Sequence, residues 1–571
     1  MADIRTDRPW VHAYADGVPA DVPAPDAPLS ELVARAGERF GARVALDFMG
    51  AETTYAELAA QVAEAAEGLR RLGVRAGDRV ALVLPNCPPH VVAFYAALRL
   101  GAVVVEHNPL YTAHELAHQL SDSGARIVIC WEKVAGTIHE LRGQTAVEEI
   151  VAVDLAAALP RLKQLALRLP VAKARKAREE LKGPLPPGAH RWEKLIKVPA
   201  LDPSTPGPQV SDVALLQYTG GTTGTPKGAV LTHANLAVNA VQGRAWVPGL
   251  RAGEEVFYAV LPLFHVYGLT LCLTFAISVG ATLVLFPRFD PDQLLEAFGR
   301  KPATFFPGVP PLYERLAAAA QEKGVDLTSV RYAFSGAMPL PPATVERWEA
   351  VTGGLLVEGY GMSESSPITI ANPISHARRP GTVGVPFPST MIRVVDPMDP
   401  TVDMPRGQPG ELLVQGPQVF QGYWNRPEET AKTLLEGGWL RTGDIVVVDA
   451  DGFVSIVDRI KELIITGGFN VYPSEVEDVL RDHAEVAEVA VVGVPAEHGG
   501  EDVLAAIVPV EGAAPDPEAL REWARERLAG YKTPRRVVLV DELPRSQIGK
   551  VLRRELRQRV LTGSSEQPPG A

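Results

Sequence analysis

YTGGTTGTPKG, residues 218–228, decides how the rest of the chain is read. It follows the apolar run Val213-Ala214-Leu215-Leu216, the mark of a buried strand, so the loop lies where a strand ends. Its four glycines let backbone N–H groups come close to phosphate oxygens, and the hydroxyls of Thr219, Thr222 and Thr223 add donors. Lys227 supplies a compact positive charge. A Walker A loop is excluded, because Gly228 and not Ser or Thr follows the lysine. A plain surface turn has no need of so dense a set of donors. The stretch reads as a nucleotide-triphosphate loop of a non-Walker kind.

Outward from this loop, helical and strand patterns alternate. Tyr55 to Leu72 carries apolar residues at helical spacing, Arg79 to Leu84 is a buried-type strand, Val91 to Leu100 is a helix and Ala125 to Cys130 a strand. Short apolar strands then end repeatedly in glycine turns, at Tyr332 to Gly336 and Leu356 to Gly361. This predicts an α/β fold with largely parallel sheets flanked by helices, in which ligands gather at the carboxyl ends of strands. From Val256 to Phe286 no Asp, Glu, Lys or Arg occurs, a length that could span a bilayer. Pro262, His265, Gly268 and Gly280 interrupt it, and strand, loop, helix and strand is the favoured reading.

At 571 residues the chain is too long for one core, and two or more domains are expected. A net charge of −12 argues against broad nucleic-acid binding. Cys87, Cys130 and Cys272 lie too far apart in sequence for a disulfide framework or a zinc site. The N-terminus shows no signal-peptide core, which makes the cytoplasm the expected compartment.

Two stretches stand apart. Between Arg161 and Lys197 there are eleven Lys or Arg and three Glu, against an acidic whole, and Leu155, Leu159, Leu162, Leu165 and Leu169 follow helical spacing broken by Pro160 and Pro170. Such a basic amphipathic insertion, about 155–199, suits an anionic membrane surface or a solvated face, and both readings stand. Near Asp458 a new unit opens with DRIKELIITGGFNVYPSEVEDVL, where Ser474 and Glu477 have the spacing of a capping box. Residues 1–460 are expected to form an N-terminal domain, 461–562 a small α+β lid, and 563–571 a disordered tail.

Seven motifs now line up in one order: YTGGTTGTPKG, PLFHVYG (262–268), SGAMPL (335–340), EGYGMSE (358–364), TGD (442–444), DRIKELIITGGFN (458–470) and PRSQIGK (544–550). With them the chain resembles the adenylate-forming superfamily of acyl-CoA synthetases, and most closely the bacterial long-chain fatty-acid–CoA ligases, from Thr53 to about Leu556. The resemblance implies ATP-dependent activation of a medium- to long-chain fatty acid to an acyl-adenylate, with release of pyrophosphate. CoA then displaces AMP. Both steps need positioning and charge stabilisation on phosphate oxygens rather than a protein nucleophile.

The same resemblance implies the residue roles. Thr219, Gly221, Thr222, Thr223, Gly224 and Lys227 would hold the β- and γ-phosphates, and Glu364 would hold Mg²⁺. Gly336 and Ala337 would line the adenine site, Tyr360 would stack on the base, and Asp444 and Arg459 would take the ribose. His265 would sit by the carboxylate being activated, and Lys550 would reach that carboxylate and the α-phosphate, staying protonated at an ordinary pKa near ~10.4. Lys461 would be the hinge of a rotating C-terminal domain, with Gly467 and Gly468 beside the pantetheine arm of CoA. Alone, His265 reads as a satisfied core histidine, Asp444 as a turn former, and Glu364, Arg459 and Lys461 as surface charges. The cofactors expected are ATP, Mg²⁺ and coenzyme A. The partners expected are the fatty acid and CoA, no nucleic acid, a homodimer, and a peripheral membrane through 155–199. An aryl-acid–CoA ligase, a fatty-acyl-AMP ligase serving a carrier protein, and a membrane-bound fatty-acid uptake factor remain the alternatives.

Overall fold

The structure is a computed structural model, and it describes residues 8–219, 226–466, 469–496, 501–545 and 551–562. The chain divides into two compact units. One holds the residues up to 392 together with Val414–Leu440, and the other holds Arg393–Leu413 with the residues from 441 onward.

The first unit is built on two parallel-rich sheets. In the nine-stranded sheet, Leu355–Gly361, Tyr332–Ser335, Phe305–Gly308, Val256–Ala259, Thr282–Leu285 and Val44–Phe48 run parallel side by side. Antiparallel strands close its two ends. The second sheet has seven strands, in the order His190–Arg191, Glu149–Val153, Ile127–Trp131, Arg79–Val83, Val103–Glu106, Val213–Thr219 and Lys227–Thr232. All its pairs are parallel except the last. Its strands read as unbroken apolar runs because helices cover both faces, leaving Val80, Ala81, Leu82 and Val83 fully buried. Tyr55–Arg71 packs here as a helix, opened by a capping box in which Thr54 and Glu57 bond each other's backbone N–H.

The stretch from Val256 to Phe286 folds as strand, helix and strand, with the helical part spanning 266–278. Among the described residues no helix is long and apolar enough to cross a membrane. The breaks read at Pro160 and Pro170 are present in the fold. Pro160 and Pro170 divide residues 155–181 into a short turn at Leu155–Ala158 and two helices, Arg161–Leu167 and Ala172–Leu181, and a short strand His190–Arg191 and helix Trp192–Leu195 follow. Proline has no N–H to give and clashes with the preceding turn, so each one starts a new segment.

In the second unit, Val486–Pro495, Glu501–Pro509 and Arg536–Leu539 form a three-stranded sheet carrying the helices Pro473–Arg481, Pro517–Arg525 and Arg553–Thr562. A separate hairpin pairs Ile464–Thr466 with Phe469–Val471. The capping box expected of Ser474 and Glu477 does not form. Pro473 is the first helical residue, and the Ser474 hydroxyl is taken by the Val457 carbonyl and the Asp458 carboxylate. Glu477 instead accepts from the Val491 N–H and from Arg553, 76 residues further along the chain. Long-range partners outbid a local one.

Candidate functional site

The strands on either side of the glycine-threonine stretch pair antiparallel. Thr219 pairs with Lys227 where the strands Val213–Thr219 and Lys227–Thr232 part company. Gly221, Thr222, Thr223 and Gly224 lie outside the described residues, as do Gly467, Gly468 and Lys550. Lys227 is half-buried at the start of the second strand. Its ammonium forms an ion pair with Glu429 and lies 5.3 Å from the centre of the Tyr423 ring.

Tyr423 arrives on a segment that runs alongside the hairpin. Gln421 and Trp424 donate to the Val230 and Gly228 carbonyls at 3.0 and 2.8 Å, and Val230 donates back to Gly422. Asp122 ties loop base and segment together, accepting from the Tyr218 hydroxyl at 2.7 Å and from Arg426 at 2.9 Å. The Tyr423 hydroxyl then donates to Glu364 Oε1 at 2.6 Å, and the Phe420 N–H donates to the Glu364 carbonyl at 2.8 Å. Glu364 itself sits buried in the short turn Ser363–Ser365. Lys227 and Glu364, read from motifs 137 residues apart, are therefore joined through one tyrosine. Tyr423 and Glu429 were missed, and their only signal was the polar, aromatic stretch QGYWNRPEE at 421–429.

The strand ends beside this group carry the remaining residues of the first unit. Gly336 follows the strand Tyr332–Ser335, and Ala337 adopts the left-handed region at φ 66°, a conformation costing a non-glycine residue about 1 kcal/mol or more. A Cβ at Gly336 would lie 3.1 Å from the Tyr267 ring, and one at Gly308 would lie 3.0 Å from the Tyr313 ring. The tyrosines fill those spaces and donate to the Phe334 carbonyl at 2.8 Å each. Tyr360 is buried in the strand Leu355–Gly361, opposite Ile370 of its antiparallel neighbour. Two positions before it, Glu358 accepts from the Leu340 N–H at 3.3 Å, and burial pushes its carboxyl up to about 8. At neutral pH it is mostly a protonated acid.

His265 caps the short helix Val266–Gly268, its Nδ1 accepting from the Tyr267 N–H at 3.2 Å. Loss of solvation lowers its pKa to about 4, so the ring is neutral and carries its proton on Nε2. The loop holding it is fixed from below. Asn86 donates to the Ala259 and Leu261 carbonyls at 2.9 and 2.8 Å and accepts from the Leu263 N–H at 2.8 Å. Gln217 donates to the Phe264 carbonyl at 3.1 Å.

In the second unit, Asp444 and Arg459 face each other across paired strands and form an ion pair at 2.9 Å. The Thr442 hydroxyl accepts from the Asp444 N–H, and Gly443 takes φ 72° within the strand Trp439–Val448. Lys461 is exposed two residues beyond. Asp458 accepts from the N–H groups of Arg459 and Ser474, which fixes the chain on either side of it.

Likeness to known proteins gives an independent reading of the chain. The family model described as AMP-binding enzyme matches residues 33–424, and the one described as AMP-binding enzyme C-terminal domain matches residues 475–550. The long-chain-fatty-acid–CoA ligase of Bacillus subtilis (strain 168) is 37% identical over 97% of this chain and 98% of its own. The feruloyl-CoA synthase of an Amycolatopsis species is 38% identical over 89% of this chain and 94% of its own. Among solved structures, ATP-bound MatB from Rhodopseudomonas palustris superposes with a TM-score of 0.80 and 31% identity, covering 93% of this chain and 98% of that one. The chain belongs to the AMP-binding enzyme family.

Proposed function

We propose that the protein is an AMP-forming acid–thiol ligase that activates a medium- to long-chain fatty acid with ATP and passes the acyl group to CoA. The products are acyl-CoA, AMP and pyrophosphate. The observation that carries the reading is the convergence of Lys227, Tyr423 and Glu364 at the base of the glycine-threonine hairpin, in a chain matched along nearly its whole length by a long-chain ligase.

Lys227 and the glycine-threonine stretch hold the outer phosphates. Glu364 suits Mg²⁺, which takes one or two carboxylates and completes its shell with phosphate oxygens and water. Mg²⁺, when bound, neutralises charge on the phosphates. Gly336, Ala337 and Tyr360 serve the adenine, and Asp444 with Arg459 serves the ribose. Neutral His265 offers an Nε2–H donor to the acyl carboxylate. Lys550 stabilises charge in the first step, and the domain from 461 turns about Lys461 so that Gly467 and Gly468 meet CoA in the second. Cytoplasmic residence, a homodimer and contact with a lipid surface through 155–199 belong to the same reading.

The test is AMP release with ATP and Mg²⁺ on matched panels of aliphatic and aromatic acids, with and without CoA, the thioesters being identified by mass. Long aliphatic acids giving CoA thioesters support the reading. Preference for aromatic acids would favour the feruloyl-type branch, and adenylate without thioester would favour a carrier-dependent ligase.

A further inference from the structure

The last helix of the second unit, Arg553–Thr562, begins with a cation. A helix start is the wrong end for one, because the free N–H groups of a first turn carry partial positive charge. Arg553 stands there against that preference, and its contacts explain why. Its Nε donates to Glu462 at 2.9 Å, and its two terminal nitrogens donate to Glu477 at 2.9 and 3.0 Å. One guanidinium thus grips two carboxylates, a geometry that its planar fork of five donors allows and a lysine does not.

The grip is not needed to hold the helix down. Leu556, 1% exposed, already buries that helix among Val492, Leu504, Ala506 and Leu543. What the ion cluster fixes is the helix start and the residues that lead into it. Val551 bridges Arg545 in antiparallel fashion, and the Leu552 N–H donates to the Pro544 carbonyl at 2.8 Å. Arg545 is anchored in turn to Glu488 at 2.5 Å. Lys550 directly precedes Val551 in sequence. On the other side, Glu462 directly follows Lys461, and Glu477 lies on the helix whose Ser474 N–H and hydroxyl donate to Asp458. Arg553 therefore joins, at one point, the chain just after Lys461 to the chain just after Lys550.

We infer that Arg553 is a positioning residue for the first half-reaction: held by Glu477 and Glu462, it fixes Val551 and Leu552, and with them the point from which Lys550 reaches. The inference rests on the role of Lys550 proposed above. Lys550 has to meet an acyl carboxylate and an α-phosphate at once, and a misplacement of about 1 Å in such a group costs about 10²-fold in rate. The second half-reaction makes no use of Lys550, so it does not sense Arg553. A plain structural staple would behave otherwise, since a loosened domain slows both.

The experiment compares Arg553→Gln and Glu462→Gln with the wild type, each alone and combined with Lys550→Ala. The half-reactions are measured apart, as pyrophosphate release from ATP and acid without CoA, and as thioester formation from supplied acyl-adenylate and CoA. Hydrogen exchange in peptides covering 544–552 and the strands Val486–Pro495 and Glu501–Pro509 reads the fastening without reference to any activity. Arg553→Gln should exchange faster at 544–552 with both strands unchanged, release pyrophosphate about 10-fold more slowly, and transfer the acyl group at the wild-type rate. Glu462→Gln leaves Glu477 paired and should show the same split more mildly. Combined with Lys550→Ala, neither substitution should cost anything further, because the group they place is gone. Equal loss in both half-reactions, full additivity with Lys550→Ala, or unchanged exchange at 544–552 each overturns the inference. A wild type that releases no pyrophosphate with any acid sinks the ligase reading instead, and the exchange result then decides by itself whether Arg553 fastens the residues before its helix.

Discussion

The Tyr423 hydroxyl donates to the Glu364 carboxylate at 2.6 Å while the face of the same ring looks onto the Lys227 ammonium at 5.3 Å. One side chain orients both the carboxylate proposed for the cation and the amine proposed for the phosphates. Glu364 is buried in a turn of three residues, and this hydrogen bond helps to orient its carboxylate.

Tyr423→Phe keeps the ring under Lys227 and removes only the donor. Apparent Mg²⁺ affinity in the adenylation step should fall by about 10-fold, with ATP affinity at saturating Mg²⁺ little changed. Titrating Mg²⁺ against pyrophosphate release reads this directly, and an unaltered Mg²⁺ midpoint would remove Tyr423 from the site.

Lys550→Ala should lower acyl-adenylate formation by roughly 10²–10³-fold, the loss expected for one preorganised donor. Transfer from supplied acyl-adenylate to CoA should remain near the wild-type rate. Equal loss of both half-reactions would count against the assignment.

Glu358 gives a pH dependence with a definite sign. Its carboxyl rises from an ordinary 4.5 to about 8 through burial. The folded chain keeps the proton to about 8 while the unfolded chain releases it above 4.5, so this group costs stability as pH climbs through that window. Glu358→Gln, neutral throughout, should flatten the climb, and denaturant midpoints of both proteins across the window measure the difference. His265 acts in the opposite sense. Its neutral folded form costs stability only as pH falls from 6.5 towards about 4.

Asn86→Ala leaves two carbonyls and one N–H of the 259–263 loop without their partner, and should destabilise the first unit by roughly 3 kcal/mol. Asn86→Asp keeps the acceptor for Leu263 and loses the donors. If Asn86 positions His265, this variant should lower kcat for adenylation while the KM for ATP holds. A purely structural role would leave kcat untouched.

The alternation of apolar runs was enough to place the sheets, because strands covered on both faces have no polar positions to confuse the period. Lys227, Glu364, Asp444 and Arg459 were also legible, each inside a motif dense with glycine or hydroxyl residues. Tyr423 and Glu429 were not, since their meaning arises only when residues 421–424 pair with 228–230 across nearly two hundred residues. Ser474 misled for a related reason. Its spacing to Glu477 was correct, but Asp458 and Arg553 offered charged partners that no local pattern reveals. The double proline break at 160 and 170 could be seen in sequence, whereas its result could not: two helices and a turn that leave Leu162, Leu165 and Leu169 outward.

Lys227 does not wait as a bare charge, because Glu429 already neutralises it. An arriving triphosphate would therefore exchange one counter-ion for another instead of filling a positive hole. The free energy of such binding would contain the difference between two ion pairs rather than the whole of one, and its dependence on ionic strength would be correspondingly shallow. The carboxylate set free would also be a second acidic group near the phosphates, ready to pair with Lys227 again as they leave. On that reading, the pairing that moderates entry would also assist departure.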